Sequence, residues 1–282
     1  MTDRRRTIED LPRIAADAYR LAGRLCGECR NQHALWTYLR LSRASTGAEQ
    51  QESKLELQLR DFIAAGRQNV LVAGAQDTGL LTLVARAGAG HDPNIVVLDV
   101  CQTPLELCGE LAKTWALPVE TIKQDLFDLD FKQRFDVVLV HGTLNFIAAD
   151  RHAEVLRRLQ RAMRPGGRLM LLFNTSRPLA ADQAGENHAE YAGFVLGELK
   201  RLGIALPDRE EAMRERFVAR ARQRELRDAQ FSAPDDVEAL VKNAGFRVLS
   251  CAPANTELAK PADALLAQFS KRRFTLIAEP SP

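Results

Sequence analysis

Polar residues stand at the ends of several apolar runs in this sequence, the places where a chain most often does chemistry. Residues 69–81 read NVLVAGAQDTGLL: an apolar run, then Gly74-Ala75-Gln76-Asp77-Thr78-Gly79, then the start of a helical pattern. Gly74 permits a tight turn and Gly79 a close helix approach, while the free N–H groups of a helix start favour a polar or anionic ligand. The dinucleotide fingerprint G-x-G-x-x-G is absent. A carboxylate at Asp77 would repel a pyrophosphate, and it suits a cationic amino-acid ligand better.

Asp99 ends a second run, IVVLD, 25 residues after Gly74. An acid there can accept both ribose hydroxyls of a nucleoside, with Val100 beside it. Asp125, followed by Leu126, ends a third run and can bond an adenine amino group. The fourth run, FDVVLVHG, ends in His141-Gly142. An imidazole titrates near neutrality, so His141 is a candidate general base as well as a cofactor contact.

Further candidates lie outside this series. Trp36 and Tyr38 in HALWTYLR are two of only five Trp and Tyr residues, so they dock that segment on the core or roof a site. Asn174 and Arg177 leave the fifth run, and His188 and Tyr191 follow at helical spacing. All six are read as substrate contacts. The sequence CGEC supplies Cys26 and Cys29, with His33 close behind, but a zinc site needs four ligands and no second pair stands at matching spacing. Read as one helical face, these are small packing residues, and no metal is expected.

The elements that must position these groups change character along the chain. Residues 7–65 are helical in pattern, with Ile8, Leu11, Ile14, Ala15, Ala18, Leu21, Ala22 and Leu25 on one face, then helices near 32–43 and 48–65. From residue 68, strands (69–74, 94–100, 119–125, 135–142 and 167–174) alternate with helices near 78–88, 103–116 and 149–163. Continuous apolar runs of this kind belong to parallel strands covered on both faces. A charged helical insertion over 176–230 interrupts the alternation, its 207–229 part reading mainly as a solvated face. A helix and two strands (247–253 and 272–279) close the chain, the two strands pairing antiparallel at a sheet edge.

The chain has 282 residues, 46% apolar and 27% charged, with a net charge of +2, which is the profile of a soluble globular protein and not of a nucleic-acid or membrane-surface binder. No apolar stretch is long enough for a membrane span, and no secretory signal is visible. Five scattered cysteines argue for a reducing compartment, so cytoplasmic location is expected.

The order of these features resembles the class I S-adenosylmethionine-dependent methyltransferases. The resemblance covers residues 66–282: a glycine turn after strand one, Asp99, Asp125, FDVVLV, RPGGRLMLLF, and AGF before the penultimate strand. It implies a Rossmann-like, doubly wound seven-stranded sheet with the last strand antiparallel. It also implies S-adenosylmethionine as cofactor. Gly74, Ala75, Gln76, Asp77, Thr78 and Gly79 would line the methionine end, Asp99 the ribose, and Asp125 with Leu126 the adenine. The usual G-x-G-x-G loop is replaced by G-A-Q-D-T-G, which reshapes the methionine pocket.

The expected protein is therefore a methyltransferase acting on a small-molecule O- or N-nucleophile, with residues 1–66 and 176–230 as a lid over a 67–282 core. A homodimer is compatible with this. The alternatives are an RNA- or protein-directed methyltransferase and a non-methylating adenosyl-binding protein of the same fold. The absence of an Asn/Asp-Pro-Pro-aromatic tetrapeptide after strand four, where HGTLNF stands, argues against adenine-N6 and glutamine-amide acceptors.

Overall fold

The structure is a computed structural model in which residues 10–45, 53–175, 181–228, 230–254 and 272–281 are described. Among the described residues three helices come first: α1 (Leu11–Leu25), α2 (Arg30–Leu41) and α3 (Ser53–Ala64). The alternating part then runs β1 (Asn69–Ala73), α4 (Gly79–Ala87), β2 (Asn94–Asp99), α5 (Gln102–Trp115), β3 (Val119–Lys123), β4 (Phe135–His141), α6 (His152–Ala162) and β5 (Met163–Thr175). The inserted helices α7 (Ala181–Arg201) and α8 (Glu210–Asp228) follow, then α9 (Pro234–Asn243), β6 (Phe246–Pro253) and β7 (Arg272–Pro280).

The sheet order is β3-β2-β1-β4-β5-β7-β6. Strands β1 to β5 are parallel, and β7 runs antiparallel to both β5 and β6. The expected terminal pair is present, with β7 lying inside it and β6 forming the edge. The order reverses between β1 and β4, so their carboxyl ends open the crevice where ligands bind in doubly wound sheets. Strand β5 begins earlier than its apolar run suggests, because Phe135 pairs with Met163 before a register shift carries the ladder on to Arg168. The RPGG segment thus lies in the strand.

Strand side chains alternate between two apolar layers. One holds Leu71, Val138, Leu171 and Phe173 with α6 and α9. The other holds Val70, Val97, Leu139 and Leu172 with α4 and α5. Leu55, Leu59 and Ile63 of α3 join this second layer. That corrects the reading of 1–66 as one lid segment, since the apolar stripe of α3 covers the sheet. A third cluster unites α1 and α2 with α7 and α8 through Leu35, Leu39, Tyr191, Val195, Met213 and Phe217. This cap is anchored where Ile14, Ala18 and Leu21 of α1 meet Leu107 of α5. Among the described residues no helix is long and apolar enough to cross a membrane.

Candidate active site

The β1 turn is held by its neighbours. Gly74 has φ +85° and donates its N–H to Leu98 O at 2.8 Å, extending the β1–β2 ladder by one bond. A Cβ built there would lie 2.4 Å from Thr143 Oγ1, which itself donates to Ala73 O at 3.1 Å. Glycine is required here by both the left-handed backbone and the close contact.

Asp99 joins the two loops that flank the crevice. Its carboxylate accepts the Ala75 N–H at 2.8 Å and the Cys101 N–H at 2.7 Å. Burial pushes its pKa up to about 6 against those hydrogen bonds. Each carboxylate oxygen keeps further acceptor capacity for a ribose hydroxyl. Asp125 caps a short 3-10 turn by accepting the Phe127 N–H at 3.0 Å.

A cavity of about 300 Å³ collects Gly74, Asp99, Val100, Asp125, Leu126 and Thr143, with Phe127, Phe146, Ile147 and Arg151 closing it. Val100 is 64% exposed at its rim, an apolar surface with no structural need to face solvent. Five residues expected to bind cofactor thus line one cavity.

A second, tighter cavity of about 30 Å³ lies across the 142–146 turn, and Phe146 borders both. Its walls include Trp36, Gln76, His141, Gly142, Asn174, Arg220 and Arg273. Trp36 and His141 meet edge to face with ring centroids 6.3 Å apart. The Arg220 guanidinium stands 5.5 Å over the Trp36 ring. Arg273 donates to Asn174 Oδ1 at 3.1 Å, fixing both side chains at the rim.

Several expectations are corrected. Asp77 does not await a ligand's ammonium: its carboxylate is buried against the Arg40 guanidinium, accepts Thr37 Oγ1 at 3.1 Å, and caps α4 by accepting Gly79 N–H at 2.9 Å. Tyr38 and Tyr191 are core residues of the helical cap, because both rings face inward between helices; Tyr191 Oη donates to Ala44 O at 3.1 Å. His188 is buried on α7 and lines neither cavity. Arg177 lies outside the described residues.

Arg220, Arg273, Gln32 and Asn145 went unsingled in the sequence although they line the second cavity. A signal for Arg220 existed. Met213, Phe217 and Arg220 recur at i, i+4, i+7, and all three are buried, so α8 is not simply a solvated face.

The cysteines also depart from expectation. Cys26 ends α1 and Cys29 precedes α2, so CGEC is the turn between two helices and not one helical face. The tertiary fold adds Cys101, immediately before α5, with Sγ 3.3 Å from Cys26 Sγ and 3.7 Å from Cys29 Sγ. Burial alone would depress the His33 imidazole, but hydrogen bonds to Cys101 and Cys29 outweigh it and push its pKa up to about 10.

Comparison with known proteins agrees with this architecture. Residues 70–167 match the family model described as a methyltransferase domain. Carboxy-S-adenosyl-L-methionine synthase of Ectopseudomonas mendocina is 36% identical over 117 residues, covering 36% of this chain and 45% of the relative. The chain thus spans less than half the length of the curated relatives it matches. Among solved structures, the [4+2]-cyclase SpnF aligns with a TM-score of 0.53 at 13% identity, over 88% of this chain and 93% of that one. The N-methyltransferase NodS of Bradyrhizobium japonicum with S-adenosyl-L-homocysteine gives 0.51 at 12% identity, over 94% of this chain and 100% of that one. At such identities the structural likeness establishes the fold. Residues 70–167 thus carry a methyltransferase-domain match, within a chain whose seven-stranded sheet has the fold of the S-adenosyl-L-homocysteine-bound NodS structure.

Proposed function

We propose that this protein transfers the methyl group of S-adenosylmethionine to a small-molecule acceptor. The observation that carries this reading is the pair of adjoining cavities on either side of the 142–146 turn, one lined by residues expected to hold a nucleoside and one with polar and aromatic walls. The first cavity suits an adenosyl group, because its lining combines the apolar Val100 and Leu126 with the carboxylates of Asp99 and Asp125. Asp99 accepts ribose hydroxyls, and Asp125 accepts the adenine amino group. Gln76 and Gly142 face the methionine end from the second cavity.

When bound, S-adenosylmethionine supplies an already activated methyl on a sulfonium, so the chain's task is binding, orientation and exclusion of water. His141 stands at the end of β4 beside Trp36, where it can take the proton of an O- or N-nucleophile. Arg220 and Arg273 favour an acceptor that carries a carboxylate or phosphate. An acceptor would enter where Gln32 and Trp36 of α2 approach Arg220 of α8. A small molecule in the cytoplasm fits this enclosure better than a nucleic acid or protein chain.

The test is a thermal-shift and calorimetric comparison of S-adenosylmethionine, S-adenosylhomocysteine and NAD, followed by transfer of isotopically labelled methyl to a panel of anionic small molecules. Both adenosyl compounds should stabilise the protein and NAD should not. The reading is lost if neither adenosyl compound raises the melting temperature.

The curated relatives favour a second reading, production of a carboxylated S-adenosylmethionine. Arg220 and Arg273 at the methyl end would suit that added carboxylate equally well. Mass spectrometry of the nucleoside product separates the two: S-adenosylhomocysteine for methyl transfer, the carboxylated sulfonium for the alternative.

A further inference from the structure

Three separate parts of the chain converge on one cluster of soft ligands. Cys26 and Cys29 flank the α1–α2 turn, His33 lies one turn into α2, and Cys101 follows β2. One ligand atom from each lies within 4.8 Å of every other. His33 and Cys101 are buried and the two turn cysteines half-buried. We propose that Cys26, Cys29, His33 and Cys101 form a tetrahedral zinc site that fastens the α1–α2 helical pair to the end of β2.

The distances suit that ion. Tetrahedral zinc with sulfur at about 2.3 Å separates its thiolates by about 3.8 Å. The sulfur pairs here stand at 3.3 and 3.7 Å, so tenths of an ångström of relaxation complete the shell. A disulfide sets its sulfurs about 2 Å apart, which none of these pairs approaches. The ligand set is soft and four in number, the combination that selects zinc and closes the site to substrate.

The surroundings supply what metal-bound residues need. His33 Nδ1 donates to Gln76 O at 3.1 Å, which leaves Nε2 as the ligand atom and orients the ring as metal-bound imidazoles usually are. Thr103 Oγ1 is 3.1 Å from Cys26 Sγ, and Asp99 holds the Cys101 N–H. On binding, the thiol protons pass to solvent and His33 coordinates as the neutral imidazole. The site touches the nucleoside cavity through Asp99 and the methionine loop through Gln76, yet its existence does not rest on methyl transfer.

The experiment measures metal, not activity. Reduced, purified full-length protein supplied with zinc should hold about one ion per chain against a mild chelator. Cobalt in its place should show thiolate charge-transfer and tetrahedral ligand-field absorption. Cys101→Ser and Cys26→Ser should each lower retained zinc to roughly a tenth or less, whereas Cys251→Ser, a remote cysteine, should leave it unchanged. The proposal is overturned if reduced wild-type protein retains no zinc, or if the Cys26→Ser/Cys101→Ser double variant retains it fully. Should the serine variants fail to fold, the wild-type cobalt spectrum decides alone: octahedral oxygen-type absorption overturns the site.

Discussion

Arg40 of α2 forms a buried ion pair with Asp77 of the β1–α4 loop, so the helical cap reaches into the turn whose Gly74 lines the larger cavity. Arg40 is among the largest fully buried side chains described. Two charges removed from water hold the loop against α2, with Thr37 and the Gly79 N–H satisfying the remaining carboxylate sites.

Removing only the cation should therefore be severe. Arg40→Met leaves Asp77 charged and buried, and about 3–5 kcal/mol of unfolding free energy should be lost. The double variant Arg40→Met/Asp77→Leu should recover most of it, as judged by urea denaturation of all three proteins. Equal losses in single and double variants would show that an unpaired Asp77 carboxylate is not what destabilises the single variant.

The two acids proposed to hold the nucleoside, Asp99 and Asp125, should separate into different phenotypes. Asp125→Ala removes an exposed acceptor and the cap on the Phe127 N–H, so it should weaken S-adenosylhomocysteine binding by roughly tenfold at a stability cost of only about 1 kcal/mol. Asp99→Ala also frees the Ala75 and Cys101 N–H groups, so it should lower both affinity and melting temperature. Calorimetry beside a thermal melt distinguishes these outcomes.

Gly74→Ala should destabilise the protein by about 1–3 kcal/mol and abolish adenosyl binding, because the new Cβ meets Thr143 and the backbone stays left-handed. Adding Thr143→Ala should restore only part of the loss. It relieves the contact and leaves the φ of +85°. Full restoration would assign the whole effect to packing.

Asp136 provides a pH test remote from the cavities. Burial would raise its pKa, but hydrogen bonds from the Asn69 side chain and N–H, with the Arg164 charge, outweigh that and lower it. A depressed carboxylate adds stability above its unfolded pKa and loses it as pH falls through the folded one. The stability gap between wild type and Asp136→Asn should be full at neutral pH and close progressively below the ordinary carboxylate range. Denaturation midpoints across that range measure it.

Local rules alone decided much of this protein. The apolar runs set the strands, Gly74 and Gly79 mark the β1 turn, and the acids after β2 and β3 stand where a parallel sheet must place them. These features repeat at short range, so a one-dimensional pattern determines them. Which cation Asp77 meets, whether Tyr38 faces a ligand or a helix, and which fourth ligand completes Cys26, Cys29 and His33 were settled only by packing. Arg40 lies 37 residues from Asp77 and Cys101 lies 75 from Cys26. No periodicity links residues at such separations. They meet because α1 and α2 dock across the carboxyl ends of β1 and β2, and that docking is a property of the whole folded chain.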